Sequence, residues 1–73
     1  MVEVFKTNVQ EIEATELLIE KLLEHFPDSR INFDLEDCDR ILRIEEKNIP
    51  STICSNKIME LVQSSGYECE LLD

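Results

Sequence analysis

The order in which the hydrophobic period changes along the chain restricts its fold more than any other feature. Residues 2–7 alternate and are rich in β formers, which predicts a strand. A helical period of about 3.6 residues then runs over residues 12–26 and ends at Pro27, which cannot continue a helix. Residues 30–35 and 40–45 alternate again across a short polar turn, so they predict a hairpin.

The remainder of the chain adds one more helix and one more strand. A second helix is expected to begin between Ser51 and Ser55 and to end before Gly66, the only glycine, in the left-handed position of a C-cap. Residues 67–72 predict the last strand. This order predicts an α+β fold, a ferredoxin-like βαββαβ sandwich. Its four-stranded antiparallel sheet has the order 4-1-3-2, with two helices on one face.

The same alternation predicts which side chains form the core. Each predicted helix carries a single apolar stripe, so both helices should cover the same face of the sheet. In the first strand Val2 and Val4 are assigned to this face, which leaves Phe5 on the open one. The full predicted core comprises Val2, Val4, Ile12, Ile19, Leu22, Leu23, Phe26, Ile31, Phe33, Leu35, Leu42, Ile44, Ile58, Leu61, Val62, Cys69 and Leu71.

Length and charge restrict the class of protein. Residues 1–73 fit a single small domain. The 17 acidic and 7 basic residues give a net charge of −10. This charge argues against nucleic acid and anionic membranes. It either favours basic protein partners or only keeps a small domain soluble. No apolar run reaches the ~20 residues of a membrane span. Three cysteines without a C-x-x-C pair fit a reducing compartment, so a cytoplasmic protein is expected.

Two stretches resemble a known family. "IEKLLEHFP" at 19–27 is similar to the end of the first helix in heavy-metal-associated domains, the small copper chaperones and the N-terminal modules of metal-pumping ATPases. "IMELVQSSGYECEL" at 58–71 is similar to the closing helix, glycine, tyrosine and strand of that family. The resemblance covers nearly the whole chain and implies the same βαββαβ fold. It also implies that Tyr67 packs under the loop that follows the first strand.

The metal motif of that family, M-x-C-x-x-C, is missing. In an ungapped alignment from Ile19 its cysteine positions are occupied by Ile12 and Thr15, and its methionine position by Gln10. Soft ions such as Cu(I) require thiolate ligands. We therefore expect no metal at this junction and no cofactor.

Other chemical motifs are also missing. The single histidine, His25, falls in the last turn of the first helix, where a cation suits the helix dipole. One glycine cannot form a glycine-rich phosphate loop, and the first loop lacks the arginine of an acylphosphatase. Cys54 and Cys69 fall on buried stripes, and Cys38 falls at the hairpin tip between two aspartates that raise a thiol pKa. We therefore do not expect an enzyme.

Two classes of function remain. The first is a non-catalytic protein-interaction module on a degenerate heavy-metal-associated scaffold. The second is a small-ligand or metal carrier, or a regulatory domain, with a non-standard site. For the first, Phe5, Ile41 and Leu72 are predicted to form an apolar patch on the open face of the sheet, for self-association or for a protein partner. Leu17 is the competing patch, opposite the buried stripe of the first helix, with Leu18 at its edge.

Overall fold

Six elements follow one another in the predicted order. The structure is a computed structural model that describes residues 2–36, 40–46 and 55–72. The elements are β1 (Val2–Thr7), α1 (Ile12–His25), β2 (Ser29–Asp34), β3 (Ile41–Glu46), α2 (Ser55–Ser64) and β4 (Cys69–Leu71).

The four strands form one antiparallel sheet with the order β2-β3-β1-β4. This is the predicted order 4-1-3-2 listed from the opposite edge, so the fold class is confirmed. α1 packs over β2, α2 packs against β4, and the two helices contact each other. Both helices contribute to one hydrophobic core with the same face of the sheet, which leaves the other face open.

The core forms between the two helices and the inward side chains of the sheet. Its largest fully buried side chains are Phe5, Val9, Leu22, Leu42, Ile44, Ile58 and Val62. Leu42 and Ile44 lie on the same face of β3, as predicted. Ile31, Phe26 and Cys69 are also buried there, and Phe33, Ile19 and Leu61 pack against the cluster while partly buried.

The assignment of faces in β1 is wrong. Phe5 is fully buried and pairs with Leu42 on the helix side, whereas Val2 is 51% exposed and Val4 is half-buried on the open face. Side chains alternate along a strand, so a shift of one residue exchanges the two faces. Two valines on one face of β1 favoured the burial of that face. Phe5 has more apolar surface to bury, so its face packs against the helices instead.

The apolar stripe of α1 is also rotated from its predicted position. The buried residues of this helix are Ala14, Thr15, Leu18 and Leu22. Leu18 is therefore a core residue and not an edge residue, while Ile12 is 70% and Leu23 is 37% exposed. The series 14, 18, 22 has the i, i+4 spacing of one helical face, and it points to the sheet. Among the other predicted core residues, Leu71 is 36% exposed because β4 is an edge strand.

The end of α2 confirms the role expected of Gly66. This residue has φ 94°, in the left-handed region. Its N–H donates to the carbonyl of Gln63 at 3.0 Å, and the N–H of Tyr67 donates to the carbonyl of Val62 at 3.4 Å. These two bonds are the Schellman motif of a helix end. The motif turns the chain back toward β4 and places Ser65 and Tyr67 beside α1.

Candidate functional site

The β1–α1 junction is closed by its own hydrogen bonds. The Thr7 hydroxyl donates to the carbonyl of Arg40 at 2.6 Å and accepts from the N–H of Val9 at 3.2 Å. The side chain of Val9 is fully buried. The Asn8 side-chain oxygen accepts from the N–H of Glu68 at 2.8 Å, which joins this loop to the residues before β4.

These bonds also explain how α1 begins. The sequence offers two capping-box spacings, from Thr7 to Gln10 and from Asn8 to Glu11. The helix instead takes Glu11 as its N-cap, without a side-chain capping bond. The side chains of Thr7 and Asn8 do not cap it, because they bond instead to Arg40, just before β3, and to Glu68, just before β4.

The two positions that align with family cysteines hold no ligand set. Ile12 has no donor atom, and the Thr15 hydroxyl donates to the carbonyl of Ile12 at 2.6 Å. Within residues 2–36, 40–46 and 55–72, no group of three His, Cys, Asp or Glu side chains could hold a metal ion.

Cys69 is buried beside Thr7, its partner in the β1–β4 pairing. Burial raises the pKa of the Cys69 thiol from 9.0 to about 11, so the thiol is neutral near pH 7. A neutral, buried thiol is a poor nucleophile and a poor metal ligand. The core position predicted for Cys69 is confirmed, while Cys38 and Cys54 lie outside the described residues.

The apolar patch predicted on the open face is not formed as expected, because Phe5 lies on the other face. Ile41 does face outward but is only 9% exposed, between Lys6 and Asp34 of the neighbouring strands. Leu72 is 38% exposed, and its N–H donates to the carbonyl of Val4 at 2.9 Å.

Charges of both signs cover much of the rest of the open face. Lys6 pairs in register with Glu70, and Arg30 pairs in register with Glu45. Opposite charges on facing strands stabilise a solvated sheet surface. The apolar side chains exposed on this face are Val2 and Leu72, beside the half-buried Val4, and not the predicted set.

Of the competing patch predicted on α1, Leu17 is exposed but Leu18 is buried in the core. Leu17 is 66% exposed and lies on the outer side of the helix, as predicted. Beside it a cleft of about 310 Å³ opens between α1 and the turn after α2. The lining residues of this cleft are Ala14, Leu17, Leu18, Lys21, Ser65 and Tyr67. The Lys21 ammonium donates to the Ser65 hydroxyl at 2.9 Å and joins the two walls.

A row of carboxylates runs along α1 next to Leu17. This acidic row comprises Glu13, Glu16, Glu20 and Glu24, all of them exposed. Their spacing places them on one side of the helix, adjacent to Leu17. No ion pair between described residues involves any of the four. The outer surface of α1 therefore combines an apolar side chain, a cleft and concentrated negative charge.

A second cleft, of about 490 Å³, lies on the other side of Tyr67. Its lining mixes apolar surface with polar side chains, and its residues include Lys6, Thr7, Gln63, Glu68 and Glu70. Tyr67 thus contributes to both clefts while packing partly buried against the core. Nothing in the sequence pattern pointed to this second cleft, because its residues are polar and come from three separate segments.

His25, the single histidine, contacts its own helix and the residue that follows it. His25 Nδ1 lies 3.1 Å from the carbonyl of Lys21, one turn earlier in α1, and the imidazole tilts against Phe26.

No helix in the described part of the chain is both long and apolar enough to cross a membrane.

Comparison of the chain with protein-family models, with curated proteins and with solved structures gives no match.

Proposed function

We propose that this protein is a non-catalytic interaction module, on a degenerate heavy-metal-associated scaffold, that docks a basic protein segment on the outer surface of α1. The observation that carries the proposal is the exposure of Leu17 beside a cleft and an acidic row. A large aliphatic side chain with 66% exposure on a helix that has a well-formed core stripe contributes little to folding. Its position next to a concave surface fits a partner's apolar anchor.

Charge defines the partner. The acidic row lies along one side of Leu17, so a docked segment would meet carboxylates over about three helical turns. An amphipathic helix with leucine or phenylalanine anchors, flanked by lysine or arginine, complements such a surface. The electrostatic part of this attraction acts mainly on the association rate and weakens as salt rises.

The closed junction supports an interaction role over metal transfer. The hydroxyl of Thr7 and the side-chain oxygen of Asn8 are already used within the protein. The Thr15 hydroxyl is used as well, and Cys69 is protonated. A carrier function would require the donors of this region to be available to a ligand.

The proposal is tested by titrating the ¹⁵N-labelled chain with a synthetic basic amphipathic helix composed of leucine and lysine. We expect amide shifts to concentrate at Leu17, Lys21 and Tyr67. Leu17→Ser should weaken binding at least fivefold. Ile12→Ser is the matched control, because Ile12 is equally exposed on the same helix but lies on its other side, and it should bind as the native chain does.

The specificity of the surface is tested with an acidic peptide of the same leucine spacing. It should give no shifts at Leu17, since the acidic row would repel it. Shifts scattered over the open sheet face, or equal binding by native chain and Leu17→Ser, would overturn the proposal.

The second cleft, which Lys6 and Glu70 help to line, favours the alternative of a small-ligand carrier. Native mass spectrometry with an amino-acid mixture, Zn(II) and Cu(I) separates the two functions. An adduct of one ligand per chain, with shifts at Thr7, Gln63 and Glu68, would support the carrier and leave the α1 surface without its assigned role.

A further inference from the structure

The two edges of the sheet differ in how their backbone is protected. At the β4 edge the strand has three residues, and the side-chain amide of Gln63 donates to the Cys69 carbonyl at 3.0 Å. At the other edge β2 extends over six residues and contains no proline and no lysine. Exposed edges without such protection are templates for pairing with another strand.

The hydrogen-bond alternation identifies the free backbone groups of β2. The Leu72 N–H donates to the Val4 carbonyl, so even-numbered residues of β1 bond to β4 and odd-numbered ones to β3. In register across the sheet, this pattern directs the backbone N–H and C=O groups of the odd-numbered β2 residues away from β3, toward the free edge. Ile31 and Phe33 therefore direct both backbone groups away from the sheet.

The groups at the two ends of β2 are partly satisfied. The N–H of Ser29 donates to the carbonyl of Phe26 at 3.1 Å, and the carbonyl of Leu35 accepts from the guanidinium of Arg40. This leaves the Ser29 carbonyl and the Leu35 N–H, besides both groups of Ile31 and Phe33. No hydrogen bond to another described residue involves these remaining groups.

We propose that the edge of β2 pairs with the β2 edge of a second copy of this chain, antiparallel, about a twofold axis at Asn32. In this register Ile31 lies opposite Phe33 of the other copy and exchanges both backbone bonds with it. The Ser29 carbonyl accepts from Leu35 of the other copy. The pairing thus uses every free group of the edge and extends the sheet to eight strands.

The side chains of β2 fit the same register. Arg30 lies opposite Asp34 of the second copy on the open face, and this ion pair occurs twice by symmetry. Opposite charges across a non-hydrogen-bonded pair lie close together and stabilise it. Axes at Ile31 or Phe33 would place Arg30 opposite Asn32 or Glu36 of the other copy and would also compete with the bonds of Ser29 or Leu35 that are already made.

The side of α1 nearest the β2 edge also favours a second copy of this chain as the partner. The α1 residues that line the cleft near α2 are 14, 17, 18 and 21. Ile12, Ile19 and Leu23 fall on the opposite side of the helix, toward the β2 edge. A twofold axis perpendicular to the sheet places both α1 helices on the same face. The partly exposed Ile19 and Leu23 then approach the α1 helix of the second copy.

Net charge sets the conditions for this association. Two copies with a charge of −10 each repel one another at low ionic strength. Added salt screens this repulsion. We therefore expect dimerisation to increase with salt, whereas docking of a basic peptide on the Leu17 surface should decrease. The opposite salt dependences separate a failure of this proposal from a failure of the proposed function.

Cysteine cross-linking tests the axis. In the full chain with Cys38→Ser and Cys54→Ser, Asn32→Cys places two thiols directly opposite each other at a distance that suits a disulfide. We expect a disulfide-linked dimer on mild oxidation. Arg43→Cys is the matched control, because residue 43 is exposed beside Asn32 but lies one strand in from the edge, and it should give no disulfide-linked dimer. Equal cross-linking of the two variants, or none of Asn32→Cys, would overturn the register.

Charge reversal tests the partner without a cross-link. Arg30→Asp alone and Asp34→Arg alone each bring like charges together, so each should dimerise at least tenfold more weakly by sedimentation in moderate salt. A mixture of the two variants forms only favourable pairs in the heterodimer, which should therefore exceed either homodimer. Circular dichroism confirms that both variants fold. A mixture that stays as monomeric as its components, or a native chain that is monomeric at every concentration and salt, would overturn the proposal.

Discussion

The β1–α1 junction and the outer surface of α1 are adjacent but have opposite characters. At the junction an apolar residue, Val9, is fully buried and the polar groups of Thr7 and Asn8 bond within the protein. On the outer surface Leu17 is exposed and a cleft opens beside it. In the region that carries metal in the family that this chain resembles, the hydroxyls of Thr7 and Thr15 and the side-chain oxygen of Asn8 are bonded within the protein. We therefore expect binding where exposed groups are available, and not at the position of that family's metal site.

The largest expected effect comes from returning donors to the junction. Ile12→Cys with Thr15→Cys supplies two thiolates at the spacing of the family motif, so competition against a Cu(I) chelator should change from no binding to tight binding. Ile12→Ser with Thr15→Ser, which adds no soft ligand, is the control. If the native chain retained Cu(I) in competition with the chelator, a soft-metal site would lie elsewhere in the protein.

The second expected effect compares the loss of a buried side chain with the loss of an exposed one. Phe5→Ala removes a fully buried ring beneath the helices and should lower the free energy of unfolding by about 3–5 kcal/mol. Leu17→Ala removes an exposed side chain and should change it by less than about 0.5 kcal/mol. Urea denaturation measures both. A large loss for Leu17→Ala would assign this residue to the fold and not to a partner.

The third effect concerns the hydroxyl that closes the junction. Thr7→Val keeps the shape of the side chain but removes the hydroxyl that bonds the N–H of Val9 and the carbonyl of Arg40. The free energy of unfolding should fall by about 1–3 kcal/mol, the cost of leaving buried polar groups unsatisfied. Thr7→Ser, which retains the hydroxyl, should recover part of the loss in the same denaturation series.

The smallest effect is a pH dependence from Cys69. Its pKa is about 11 in the folded chain against 9.0 for the ordinary thiol, so the folded state holds this proton more tightly. Stability should be independent of this group below about pH 9 and fall as pH rises from 9 toward 11. Cys69→Ala should flatten that part of the stability profile. Identical alkaline profiles for the two chains would show that the thiol does not titrate this way.

The architecture could be predicted from periodicity because changes of period mark the elements and Gly66 marks the end of α2. Which face of β1 is buried could not, since Val2, Val4 and Phe5 give competing alternations and the choice depends on pairing with Leu42. The exposure of Leu17 followed from its angle on the helix. The cleft beside it did not, because Ser65 and Tyr67 reach α1 only through the turn at Gly66.

The position of β1 between β3 and β4 has a consequence for how the molecule opens. Phe5 pairs with Leu42 on one side and with Leu71 on the other, so the central strand depends on contacts far apart in sequence. Such non-local pairing slows folding. β4 is short, and its detachment would turn β1 into an edge strand rich in valine and phenylalanine. We therefore expect a chain opened in this way to aggregate more readily than the folded one.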